Sequence, residues 1–162
     1  MNNLLLTLIC ALLLVRPAAA QQQFNSPEDL LGTLYSAYML NGVSNLEPYF
    51  SDRLAQEMGN ARLSPEILAS MGVDPLVGAE GGNLTLLKIE SDTEDEERVV
   101  GTVTFHNRLV PVHLTFELVN EAVEGWQIDH LSGVSGKITW CSQSLIAAAK
   151  KQEAQPAALE NR

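Results

Sequence analysis

Residues 97–131 read ERVVGTVTFHNRLVPVHLTFELVNEAVEGWQIDHL, and this stretch decides the fold. Apolar side chains recur at every second position, the period of a half-buried strand. Over residues 97–107, Val99, Gly101, Val103 and Phe105 share one face. Over residues 110–119, Val112, Leu114, Phe116 and Leu118 do the same, and over residues 125–131 Trp126, Ile128 and His130 alternate. The connections between these runs are too short for crossovers, so the strands form an antiparallel meander. A further strand is expected at residues 84–90, which makes a sheet of about four strands, and residues 137–140 add a brief one.

Upstream of residue 84 the period changes to that of a helix. Ser26-Pro27-Glu28-Asp29 is a helix start: a side-chain acceptor for early amides, a proline with no amide to satisfy, and two acids at the positive end of the dipole. Leu30, Leu31, Leu34, Tyr35 and Tyr38 follow as one wide apolar stripe, closed by Asn41-Gly42. A second short helix begins at Ser51 and presents Leu54 and Met58 before Gly59. Ser64-Pro65-Glu66 opens a third that carries Ile67, Leu68 and Met71, and a glycine-rich loop spans residues 74–82. Residues 144–152 form a short C-terminal helix, and residues 153–162 are a flexible tail. N-terminal helices followed by a curved meander define an α+β domain with the helices packed on one sheet face. The expected organisation is a leader at 1–20, a polar lead-in at 21–26 and a single domain over 27–152.

The leader rests on length. Residues 4–15 are twelve positions, apolar except for Thr7, whereas a membrane span needs about 20. Arg16-Pro17 and Ala18-Ala19-Ala20 follow, with small residues where a signal peptidase requires them, so cleavage falls between Ala20 and Gln21 and the product is periplasmic or secreted. The mature chain then carries twenty acidic against nine basic residues, a formal charge of −11. That charge repels nucleic-acid phosphates and anionic lipid and leaves a basic protein or a cationic ligand as allowed partners. Cys10 lies in the leader, which leaves Cys141 without an internal disulfide partner.

The segments LLGTLYSAYM, LEPYFSDRLA, DPLVGAEGG and EGWQIDHLSG, in that order, resemble an exported bacterial family catalogued as domain of unknown function 3828. The resemblance spans roughly residues 27–132 and implies a cone-shaped fold of the nuclear transport factor 2-like, or cystatin-like, type, with no activity attached. Where family members often place an acid near the end of the last of these strands, this chain has His130.

Several groups are candidates for chemistry. In a cone fold Trp126, Ile128 and His130 face a cavity whose other wall is the long helix, so Tyr35, Tyr38, Trp126 and His130 are the expected ligand-binding set. Tyr and His in an apolar pocket is the pattern of cone-fold isomerases and dehydratases, in which a shifted pKa supports proton transfer. The plainer reading makes the tyrosines core residues and His130 a satisfied polar end. His106 and His113 lie on the outward face. If Phe105 pairs with Leu114 they stand directly opposite one another and, with Glu117 or Asp129, have donors for a divalent transition metal. Catalytic zinc generally needs three protein ligands, and surface histidines are the stronger reading. Six carboxylates between Glu90 and Glu97 have the charge for calcium but lack the glycine of a calcium loop, so they form a solvated hairpin tip. Asp74 and Glu80 belong to loop chemistry. No nucleophile, phosphate-loop or cofactor motif occurs, and no cofactor is expected. The sequence therefore favours a non-catalytic exported domain that binds a small ligand or a protein partner. A small-molecule isomerase or dehydratase is the alternative, and a homodimer through the sheet faces is a further expectation.

Overall fold

A computed structural model describes residues 23–41, 45–61, 72–78, 83–93, 98–123 and 125–153. Helix α1 (Pro27–Asn41) is followed by a 3-10 turn (Glu47–Tyr49), helix α2 (Asp52–Asn60), strands β1 (Leu84–Thr93), β2 (Arg98–Asn107), β3 (Val110–Glu121), β4 (Gly125–Ser135) and β5 (Ile138–Cys141), and helix α3 (Ser142–Glu153). The fold is α+β, built on one antiparallel meander in the order β1-β2-β3-β4-β5. The sheet thus has five strands rather than about four, and one of the three described helices is C-terminal. The leader with its cleavage site, the expected helix at 64–71, Glu80, the acidic residues 94–97 and the tail after 153 lie outside the described residues. No helix among the described residues is long and apolar enough to cross a membrane.

Local chemistry sets the helix starts. Ser26 Oγ accepts from the Asp29 amide at 3.1 Å, and the Asp29 carboxylate reaches back to the Asn25 amide at 3.4 Å. These reciprocal bonds occupy the Asp29 amide and the Asn25 amide just ahead of α1. Ser51 caps α2 by accepting from the Leu54 amide at 3.2 Å, and its own hydroxyl donates to Asp129 Oδ1 at 2.6 Å. One serine therefore caps a helix and ties it to β4.

The stripe of α1 is the central wall of the core. Leu30, Leu31, Leu34 and Tyr35 are buried against Val99, Val103, Phe105, Leu114, Phe116 and Leu118. The Tyr35 ring meets Phe105 at 5.9 Å and Phe116 edge-on at 6.5 Å, geometries that suit the ring quadrupole. Gly101 lets Leu31 reach the sheet: a Cβ there would lie 2.7 Å from Leu31 Cδ1.

Two bulges interrupt the ladder, and each bends its strand. One falls in β1 between Thr85 and Lys88. The other falls in β4, where Glu117 pairs with His130 but Leu118 pairs with Ile128, leaving Asp129 as the extra residue. The first half of β4 is flanked by Phe24 and Phe50 through isolated parallel bridges, with the Ser51 amide donating to the Ile128 carbonyl at 2.9 Å. The second half pairs with β5. This strand extends to Ser135, four residues past its expected end, because the core-side bulk there comes from Trp140. The Trp140 ring occupies the space a Cβ on Gly133 would need, so the local sequence shows no apolar alternation.

Candidate functional site

The tyrosines and His130 do not meet. The bulge at Asp129 moves His130 to the sheet face opposite α1, where it pairs with Glu117, while Leu131 takes the core position beside Phe116. Simple alternation from Trp126 and Ile128 predicts His130 on the core side, and the extra residue reverses it. Trp126 stays on that side, half-buried and packed against the core. His130 Nδ1 lies 2.6 Å from Ser142 Oγ at the start of α3, and Ser142 is itself buried, so this contact ties the helix to the sheet.

The tyrosine hydroxyls are spent on the turn from Asp74 to Gly78. Asp74 organises that turn: its carbonyl accepts from the amides of Val77 at 3.2 Å and Gly78 at 2.8 Å, and its Oδ1 accepts from the Leu76 amide at 2.9 Å. Three distant side chains then bind successive carbonyls. Trp140 Nε1 donates to Pro75 at 3.2 Å, the Tyr35 hydroxyl to Leu76 at 2.9 Å, and Asn107 Nδ2 to Val77 at 3.0 Å. The Tyr38 hydroxyl donates to Asp74 Oδ2 at 2.8 Å. Leu76 and Val77 are buried, and Gly78, at φ +85°, approaches Ser135 more closely than any side chain would allow. A carbonyl-rich turn is expensive to bury unless its acceptors are satisfied, and these donors satisfy them.

Burial, reinforced by the nearby Asp74 carboxylate, pushes the Tyr35 phenol well above its ordinary range. The same two causes, in the same order, push Tyr38 up. Both phenols are held protonated and act as hydrogen-bond donors, a poor state for abstracting a proton.

Asp129, half-buried at its bulge, is held by Arg53, whose Nε and Nη2 lie 3.0 Å from its two carboxylate oxygens. Burial raises the Asp129 pKa, but hydrogen bonds from Arg53 and Ser51 and the charges of Arg53 and Arg98 outweigh it and leave the carboxyl below its usual range. Cys141 is half-buried ahead of α3 with its pKa lowered, first by a hydrogen bond from the Ser144 hydroxyl and then by the Ser144 backbone.

The two remaining histidines lie on the outward face, away from α1. Phe105 pairs with Val112 rather than Leu114, so His113 stands opposite Thr104 and His106 opposite Pro111. The histidines are diagonal neighbours, not a facing pair. The tight connection at residues 108–109 sets this register, and the sequence alternation alone is compatible with a slip of two. Glu117 is four residues along β3, about 13 Å at the usual strand rise, and Asp129 is engaged by Arg53. No group of three or more His, Cys, Asp or Glu positioned for a metal occurs among the described residues.

What His106 and His113 do share is an open concavity of about 360 Å³ with Leu86, Pro111 and Val134. Its surroundings were not legible in the apolar pattern. Leu86, Leu109 and Val134 are exposed, and the three non-glycine residues with positive φ among those described, Leu86 (57°), Arg108 (48°) and Leu109 (71°), all belong to this end of the sheet. Left-handed backbone costs an L-residue about 1–2 kcal/mol. Arg108-Leu109 occupy the two central positions of a hairpin turn where Asn-Gly is the usual choice. Strain is thus concentrated where apolar side chains are held in water. Comparison with family models, with curated proteins and with solved structures finds no match to this chain.

Proposed function

We propose that the protein is an exported, non-catalytic binding domain that engages its ligand or partner on the outward face of the sheet, at the concavity shared by His106, His113 and Val134. The observation that carries this reading is the division of the two faces. The α1 side is filled by the Asp74–Gly78 turn, whose carbonyls take up the Tyr35 hydroxyl and the Trp140 indole. The outward side offers an apolar hollow lined with a few polar groups, the usual composition of a recognition site. The isomerase or dehydratase alternative needs His130 and the tyrosines in one pocket, and the strand register supports it less well. Export is proposed on the short apolar run at residues 4–15 and the alanines before Gln21. A cone-like, nuclear transport factor 2-like assignment fits the long helix laid across a bulged meander and belongs to the same proposal.

The test is an amide chemical-shift titration of residues 21–162 with a fragment library. Shifts clustered at Thr104, His106, His113 and Val134 support the reading. Shifts centred on Tyr35, Leu76 and Trp126, or no saturable shifts on the outward face, defeat it. Recovery of the chain from the cytosol with Met1 intact defeats the export component.

A further inference from the structure

From the charges around the concavity we infer that its occupant is an acidic segment of a partner protein carrying an apolar anchor. This rests on the outward face being the binding surface, and it names the chemistry of the partner. The chain as a whole is strongly acidic, with twenty acidic residues against ten basic ones, and net charge alone points to a basic partner. The groove is different. Among the described residues no carboxylate lines it; its polar lining is Thr104, His106 and His113. Arg108 lies in the β2–β3 turn, two residues from the lining His106, and Lys137 follows the lining Gly136 in the β4–β5 turn. Both are exposed, and neither has an ion-pair partner among the described residues. The other described cations on the sheet and α2 are engaged: Arg53 is bound to Glu57 and Asp129, Lys88 to Glu90 at 2.6 Å, and Arg98 acts on Asp129. Two cations with no ion-pair partner among the described residues, in the turns beside a hollow whose described lining carries no carboxylate, form a local positive field on a negative molecule, which complements carboxylates and steers their approach.

The shape favours a polypeptide over a small molecule. Small-ligand sites usually enclose most of their ligand, whereas this hollow is open and continuous with exposed apolar residues. Leu86 is 78% exposed, Leu109 89% and Val134 44%. The left-handed backbone at Leu86 and Leu109 keeps those side chains out of the core. An extended segment with one apolar residue seated beside Val134 and acids on either side toward Arg108 and Lys137 meets all of these features.

A random twelve-residue peptide library displayed on phage and selected against immobilised residues 21–162 tests the inference. Enriched peptides are synthesised and measured by fluorescence anisotropy against the wild type, Val134→Glu, and the charge reversals Arg108→Glu and Lys137→Glu, each checked for a wild-type circular dichroism spectrum. The expected result is enrichment of Asp and Glu around an apolar residue. Binding should weaken about tenfold or more in each variant, and in raised salt for the wild type, as rim charges and a buried anchor predict. Groove-dependent peptides that are neutral or basic, lost in Val134→Glu but not in the reversals, overturn the acidic assignment and leave the outward-face reading standing. No enrichment, or peptides indifferent to all three variants, overturns both. So does a stable dimer by sedimentation whose interface covers Val134.

Discussion

Replacing Tyr35 by Phe removes one oxygen from the centre of the molecule and leaves the ring in place. The ring contacts with Phe105 and Phe116 persist, so the only space opened is that of one oxygen atom. What is lost is the hydrogen bond to the Leu76 carbonyl, in a site where Tyr35 is 1% and Leu76 3% exposed. A buried acceptor stripped of its donor costs about 1–3 kcal/mol. For a domain of this size each kcal/mol lowers the melting midpoint by about 3–4 °C, so Y35F should melt about 3–12 °C below the wild type. Urea titration should show a lower midpoint with an unchanged slope, because the surface exposed on unfolding is the same. A midpoint within about 1 °C of wild type, on the same conversion, would mean that the hydroxyl faces water or an open cavity. It would remove the Asp74–Gly78 turn as the plug of this face and restore the case for a tyrosine-lined pocket.

Other consequences are open to measurement. Gly101→Ala places a methyl 2.7 Å from Leu31 Cδ1, and overpacking of this kind should destabilise by about 1–3 kcal/mol in denaturant titration. Ser51→Ala loses the cap of α2 and a ligand of Asp129 together; about 1–2 kcal/mol is expected. The Asp129 carboxyl titrates below its ordinary range in the folded state, so its contribution is complete above the unfolded-state pKa near 4 and is lost as pH falls through the lower folded value. The acid side of the stability profile should flatten in Asp129→Asn. Tyr35 and Tyr38 titrate above their ordinary range, so the stability they contribute is present below about pH 10 and falls as pH rises beyond it; absorbance at 295 nm should show both phenols ionising only as the domain unfolds. The Cys141 thiol, with its pKa lowered by Ser144, should be alkylated by iodoacetamide at a lower pH than a free cysteine, and Ser144→Ala should move the profile back.

Much of the architecture was legible because it is periodic. The α1 stripe of Leu30, Leu31, Leu34 and Tyr35, the inward faces of β2 and β3, and the serine caps at Ser26 and Ser51 are written in spacings that a single segment contains. What spacing leaves open is register, where a bulge or a slip of two changes the neighbours of every side chain. Asp129 looks like an ordinary member of an alternating strand, yet as a bulge it sends His130 to the other face. Likewise, the Phe105–Leu114 pairing needed for facing histidines satisfies the same in-out alternation as the observed Phe105–Val112 pairing. Only the two-residue turn at Arg108-Leu109 chooses between them, and it does so with residues that disguise it, since neither is the glycine or asparagine such a turn prefers.

The sequence by itself determined the α+β class, the antiparallel strand pairing, the helix starts at Ser26 and Ser51 and the acidity, because these depend on residue spacing and on sums over residues. Tertiary structure alone decided which side chains share a space. The Asp74–Gly78 turn draws donors from α1, β2 and β5, separated by up to 65 residues, and nothing in the turn's own residues names them. The outward hollow arises the same way, from strand ends and turns brought together by the register. A local pattern can specify which way a side chain points, but its neighbours are chosen by the closing of the whole sheet.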